Sequence, residues 1–172
     1  MHIRPETESD RAAVRAVNEA AFGTPAEADL VEALHGKSAS LISLVAEEYD
    51  KVTGHILFSA VSITEHTNLN IMGLGPMAVM PEYQRQGIGS SLVREGLSAC
   101  KNLGYCAVVV LGHPAYYPRF GFVPATRYAL RCEYDAPADA FMVTELEAGA
   151  LNRVSGLVRY DEVFAGVVSD HD

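Results

Sequence analysis

The chain has 172 residues, 49% of them hydrophobic and 20% charged, which suits one domain able to bury a core without disulfide staples and excludes a disordered chain. Thirteen Lys+Arg against 22 Asp+Glu give a net charge of −9, so the basic footprint of a nucleic-acid binder is missing, while an acidic surface tends to attract cationic substrates such as amines. No apolar run nears the roughly 20 residues that span a bilayer, and MHIRPETESD carries no secretory signal pattern. The expectation is a single cytoplasmic domain over residues 1–172, with neither nucleic acid nor membrane as a partner.

In chain order, His2–Arg4 reads as a short extended segment before Pro5. From about Ser9 to Phe22, the residues Ala13, Val14, Val17, Ala20 and Ala21 fall on one helical stripe. A second helix is announced by Thr24-Pro25-Ala26-Glu27, in which Thr24 caps, Pro25 suits the first turn and Glu27 completes a capping box; Gly36 is placed to end it. Leu41–Glu47 and His55–Ile63 are strand-like and flank Asp50–Gly54, which reads as a hairpin turn. A third strand covers Ile71–Val79 and stops at Pro81.

The longest helix spans about Gly87 to Leu103, with Ile88, Leu92, Val93, Leu97, Cys100 and Leu103 facing one way and Gly104 closing it. Ala107–Leu111 is apolar throughout, as a buried strand is. Tyr128–Tyr134 and Phe141–Leu146 read as two more strands. Strand, helix and buried strand across Ile71–Leu111 form a βαβ unit with a parallel crossover, so the sheet is mixed and the fold class is α/β (α+β). Cys100, Cys106 and Cys132 form no CxxC pair, so buried structural thiols are expected and a metal site is not. The tail Asp170-His171-Asp172 is read as a frayed terminus rather than a metal site.

The chemistry is concentrated in Met77-Ala-Val-Met-Pro-Glu-Tyr-Gln84-Arg-Gln-Gly87-Ile-Gly89-Ser-Ser91. A strand ends, a proline breaks it, and a glycine-bearing loop opens a helix. The first-turn N–H groups of such a helix lack intrahelical acceptors and lie at the positive end of its dipole. Gly87 and Gly89 allow close approach of a ligand, which makes this a cradle for a pyrophosphate. A dinucleotide fingerprint fails because its third glycine falls on Leu92, and no Gly-Lys-Ser/Thr is present for a Walker loop. Taken alone, the Gly-x-Gly start is equally consistent with a helix that binds nothing.

Gln84-x-x-Gly87-x-Gly89 after a Val-x-Pro strand end resembles the acyl-CoA pyrophosphate loop of the GCN5-related N-acetyltransferases (GNAT). Tyr117-Pro-Arg-Phe-Gly121-Phe122, just after the buried strand, resembles that family's Tyr-x-x-x-Gly-Phe element. LGHPAYYPRFGF and the terminal GLVRYDEVF extend the likeness to its bacterial YhbS-like subgroup of predicted acetyltransferases along nearly the whole chain. The resemblance implies a mixed sheet of about six to seven strands flanked by about four helices, with a splayed strand pair forming the acyl-CoA cleft. It implies acetyl-CoA as acyl donor, and allows a homodimer for which no coiled-coil stripe is visible.

By the same resemblance, backbone groups of Met77, Ala78 and Val79 pair with the pantetheine arm. Gln84 belongs to the loop motif, and the pyrophosphate rests on N–H groups of Arg85, Gln86, Gly87, Ile88, Gly89 and Ser90. The implied reaction is direct attack of a primary amine, from a small molecule or peptide, on the acetyl thioester. Oxyanion donors come from the Ala78–Val79 backbone and the general acid is Tyr117, whose reference pKa near 10 lies close enough to a thiol's value of about 8.5 that no special shift is needed. Tyr116 is expected to pack. For the general base, Glu47, Glu48, Glu65, His55, His113 and a water relay remain open. Many family members carry an Asn on a longer helix before the acid Tyr; here His113-Pro114-Ala115 leads straight into Tyr116-Tyr117, so that helix must be short. A non-catalytic module that holds acyl-CoA or an acyl carrier protein arm is the alternative function.

Overall fold

A computed structural model describes residues 1–37 and 40–168; the tail Asp170-His171-Asp172 lies outside the described residues. The elements in chain order are β1 (His2–Pro5), α1 (Arg11–Phe22), α2 (Ala26–Lys37), β2 (Leu41–Glu48), β3 (Lys51–Ile63), β4 (Ile71–Val79), α3 (Ile88–Asn102), β5 (Ala107–Leu111), β6 (Val123–Pro124), β7 (Leu130–Cys132), β8 (Phe141–Glu145), β9 (Gly156–Arg159) and α4 (Ala165–Val168). The mixed α/β class and the positions of β4 and β5 match the sequence expectation. The strand count among the described residues is nine rather than six or seven. The extra strands, β6 and β9, are two and four residues long, too short to print a period of two. No helix among the described residues is long and apolar enough to cross a membrane.

The chain divides into two compact units. Among the described residues the first comprises those within Met1–Ser59, Gly75–Gly96 and from Val163 onward. Within it β1 pairs antiparallel with β2, Ile3 opposite Ala46, and β2 pairs antiparallel with β3, Leu44 opposite Ile56. The β2–β3 turn is Tyr49-Asp50, both at positive φ (49° and 61°), which is the two-residue geometry that matches strand twist. The expected turn over Asp50–Gly54 is therefore corrected, and β3 begins at Lys51. Its composition misled because Gly54 breaks the apolar run. In the structure Gly54 lies inside the strand, where an added Cβ would sit 3.0 Å from both Ile88 Cγ2 and Leu92 Cδ1. The glycine lets the start of α3 lie close against β3.

Opposite that point the β2–β3 register shifts, with Ala46 facing Gly54 but Glu47 facing Val52, so Thr53 is the extra residue of a bulge. The buried face of α1 carries Val14, Val17 and the polar Asn18, whereas Ala20, expected on the stripe, is exposed. Asn18 faces inward because its side chain has buried partners, described below. Helix α2 runs one residue past Gly36 to Lys37.

The second unit comprises Ala60–Leu74 and Leu97–Glu162. Its centre is the parallel ladder of β4 on β5, from Ile71 opposite Ala107 to Leu74 opposite Val110. β8 then pairs antiparallel with β5, and β6 with β8. β9 joins the end of β3 antiparallel and β7 parallel. Val61, Ile71, Ala107, Val109, Leu130, Phe141, Val143 and Val158 form its apolar core. Cys100 and Cys106 are buried, and burial pushes the Cys100 thiol up to about 12, so both are inert packing residues. Leu103, expected on the inner face of α3, is 67% exposed because the helix stops at Asn102.

Candidate active site

In the first unit, β4 ends at Val79 and the Met80 N–H donates to the Thr53 carbonyl at 2.9 Å. That carbonyl anchors the entry to the loop. Pro81–Tyr83 form a single 3-10 turn, with the Tyr83 and Gln84 amides donating to the Met80 and Pro81 carbonyls. The Gln84 side chain reaches back and donates to the Val79 carbonyl at 3.0 Å, and the Gln86 side-chain Nε2 donates to the Glu82 carbonyl at 3.3 Å. These two glutamines brace the loop from within.

Arg85 and Gly87 both have positive φ (63° and 89°). The glycine is required by conformation rather than crowding, since nothing lies within 4 Å of a built Cβ there. Residues 84–87 are exposed, and Ile88, 2% exposed, anchors the loop to the interior. The first intrahelical bond runs from the Ser91 N–H to the Gly87 carbonyl at 3.0 Å. The amides of Ile88 and Gly89 in the first turn of this 15-residue helix therefore have no intrahelical acceptor. Ser90 lies in the same turn. Met77 and Val79 are partly buried and Ala78 is buried in the preceding strand segment. The expected site residues Met77 to Ser90 thus form one continuous strand–loop–helix presenting oriented N–H groups.

In the second unit, β5 is followed by Gly112 and then by a turn in which the Tyr116 amide donates to the His113 carbonyl at 3.1 Å. Tyr117–Phe120 form a 3-10 turn ended by Gly121 at φ 93°. The short helix inferred from His113-Pro114-Ala115 is therefore this single turn. Tyr117 is 8% exposed. Its ring meets Tyr116 edge-on at 5.1 Å and Phe122 at 5.6 Å. A Cβ on Gly112 would come within 2.5 Å of the Tyr117 ring, so the Leu-Gly-His-Pro segment is shaped to admit that ring. Burial, with a smaller contribution from Tyr116, pushes the Tyr117 phenol well above its ordinary value. Tyr116 packs, as expected: the Arg119 guanidinium lies 4.5 Å from its ring centre, and the Arg119 Nε–H donates to its carbonyl at 2.8 Å.

The proposed general bases fall into different settings. Glu47 is paired with Arg4 at 2.7 Å. Glu48 ends β2, Glu65 lies in an exposed turn at φ 67°, and His113 is exposed. His55 is wholly buried in the first unit, in a polar cluster that the sequence did not disclose. Its partners are Asn18, Ser43 and Glu6, at separations of 37, 12 and 49 residues. Burial alone would raise the Glu6 carboxyl. Hydrogen bonds involving His55 and Ser43 outweigh that and hold it at about 2.

A helix start with unpaired first-turn amides after a strand, and a packed tyrosine turn after the next strand in the chain, are the two parts at which the sequence resembles the GNAT acyltransferases. A family model described as an acetyltransferase (GNAT) domain matches residues 2–125, and the chain belongs to that family. It is 40% identical over 165 residues to the uncharacterized N-acetyltransferase YhbS of Escherichia coli K12, covering 95% of this chain and 98% of that protein. The crystal structure of E. coli YhbS in complex with CoA matches with a TM-score of 0.91 at 39% identity, over 95% of this chain and 91% of that one. A GNAT acetyltransferase from Brucella melitensis, solved with acetyl-CoA, matches with a TM-score of 0.78 at 37% identity, over 95% and 97% of the two chains.

Proposed function

We propose that the protein, with residues 1–172 acting as one N-acetyltransferase domain, transfers an acetyl group from acetyl-CoA to a primary amine of a small molecule or peptide in the cytoplasm. The observation that carries this reading is the loop from Gln84 to Ser90, with Gly87 at φ 89° opening α3, in a chain that is 39% identical to a protein crystallised with CoA. The pyrophosphate accepts from N–H groups of Arg85, Gln86, Gly87, Ile88, Gly89 and Ser90. Uncharged donors aligned with a helix dipole bind phosphate without basic side chains, which is how a chain of net charge −9 holds an anionic cosubstrate. Met77, Ala78 and Val79 pair with the pantetheine arm, and the Ala78–Val79 backbone donates to the oxyanion as the amine attacks the thioester carbon.

As the tetrahedral intermediate collapses, the C–S bond breaks and its electron pair leaves on sulfur. Tyr117 donates the proton that converts this thiolate to CoA thiol, the attacking nitrogen gives up its proton to water, and a proton from solvent restores the phenol. A phenol held above its usual value near 10 keeps its proton across the physiological range. Release of CoA thiol from acetyl-CoA, followed across a panel of amines, polyamines, amino acids and peptides, tests the reading. Amine-dependent release is expected; tight CoA binding with no release from any amine would instead identify a binding module.

A further inference from the structure

The sequence Thr53-Gly54-His55 does three jobs in succession. The Thr53 carbonyl holds the Met80 N–H at the entry to the loop, Gly54 seats Ile88 and Leu92 of α3, and His55 turns to the other face of β3. Ser43 is on the same face, since it lies opposite Leu57, two residues along β3 from His55. The Asn18 amide nitrogen donates both to the Val14 carbonyl at 3.0 Å and to His55 Nδ1 at 3.2 Å. That bonding pattern assigns Nδ1 as acceptor, so Nε2 carries the hydrogen. Nε2 faces Ser43 Oγ at 2.9 Å, and the Ser43 hydroxyl in turn donates to the Glu6 carboxylate. His35 at 3.0 Å and Arg11 at 3.3 Å complete the surroundings of Glu6.

Such a chain is costly as packing. Asn18 and His55 are both 0% exposed, and Asn18 Oδ1 is buried with no hydrogen-bond partner among the described residues. Apolar side chains would fill the same space without leaving a buried acceptor unpaired. Its yield is directional: it fixes the rotation of β3 at the residue beside Gly54, immediately after the bulge. A slip there moves the Thr53 carbonyl away from Met80 and the seat of Ile88 with it.

We propose that His55 is a positioning residue for the cofactor loop, held by the Asn18–His55–Ser43–Glu6 chain so that the β3 bulge sets the place of Met80 and the start of α3. The inference rests on the reading that this loop binds acetyl-CoA. It is tested by CoA titration calorimetry and Met80 amide exchange on the full chain, as wild type and as His55→Leu, His55→Gln and Ser43→Ala. Gln keeps a donor where Nε2 stands, whereas Leu keeps only the volume.

His55→Leu is expected to weaken CoA binding about tenfold and to speed Met80 exchange by a similar factor. His55→Gln should stay within about twofold of wild type on both counts, and Ser43→Ala should fall between. A folded His55→Leu protein with wild-type CoA affinity and Met80 protection overturns the proposal. So does a His55→Gln protein as impaired as His55→Leu, since bulk disturbance then accounts for the loss. If His55→Leu does not fold, Ser43→Ala decides, because it deletes one hydroxyl only, and wild-type behaviour there is equally fatal. Wild-type protein that binds no CoA would strike down the cofactor reading itself, which separates that failure from this one.

Discussion

The loop over residues 80–91 and the turn over residues 112–122 present their chemistry in opposite ways. The loop is exposed over residues 84–87 and braced by its own side chains, and the groups proposed to bind there are N–H groups that every residue but proline possesses. The turn works through one buried side chain, whose ring is wedged among Tyr116, Phe122 and the space left by Gly112. The loop should therefore tolerate side-chain changes wherever its φ angles survive. The turn should tolerate few, because moving the ring moves the phenol proposed as the acid.

The sharpest test of that contrast is Tyr117→Phe, which keeps the ring contacts and removes the proton. Turnover should fall roughly a hundredfold or more, with CoA affinity and melting temperature near wild type. Full turnover would take the acid role from Tyr117. Gly112→Ala comes next: its Cβ meets the Tyr117 ring at 2.5 Å, so the ring must shift and turnover should drop by about ten- to a hundredfold. Gln86→Ala, by contrast, loses one exposed bond to Glu82 and should leave turnover within about twofold of wild type. Comparable losses in Gly112→Ala and Gln86→Ala would erase the contrast between the two regions.

Much of this was legible in the sequence because it is local. β4 and β5 were read at their observed bounds, since an apolar run between a loop and a proline leaves little room for error. The strand–loop–helix was visible because its glycines, proline and helix start fall within about a dozen residues. The β3 bulge was not visible: Gly54 looks like a turn residue, and only the partner strand shows that Thr53 is supernumerary. The Glu6–Ser43–His55–Asn18 cluster was missed for the same reason, since no pattern in the chain links a residue after β1 to one on β3. A hint lay in Asn18 itself, a polar residue adjoining Val17 on the apolar stripe. The rise of the Tyr117 phenol likewise follows from burial by Phe122 and its neighbours, not from its own motif.

Smaller effects separate the two regions further. Gly54→Ala puts a Cβ 3.0 Å from Ile88 and Leu92, and should cost about 1–3 kcal/mol and lower the melting temperature by roughly 2–10 °C. Its turnover at saturating acetyl-CoA should stay near wild type, because the tyrosine turn is untouched. Acid should also weaken the first unit. Glu6 is held at about 2 against an ordinary 4.5, so its contribution is fully present above about 4.5 and is lost as pH falls through 2. That contribution is up to about 3 kcal/mol. Burial also keeps His55 neutral below its ordinary value, which adds acid lability as pH falls below about 6.5. Chemical denaturation followed from neutral to acid pH should show the loss in wild type and a shallower one in Glu6→Gln. Identical pH slopes would remove Glu6 from the acid response.

The central claim, that oriented backbone amides at the start of α3 hold the cosubstrate, is tested most directly by titrating acetyl-CoA calorimetrically into wild type and Gly87→Glu. Glutamate at Gly87 must adopt φ 89° or distort the loop, and it brings a carboxylate to the phosphate site. The expected result is saturable one-to-one binding by wild type and none by a Gly87→Glu protein that remains folded. Equal affinity in the two proteins would contradict the account.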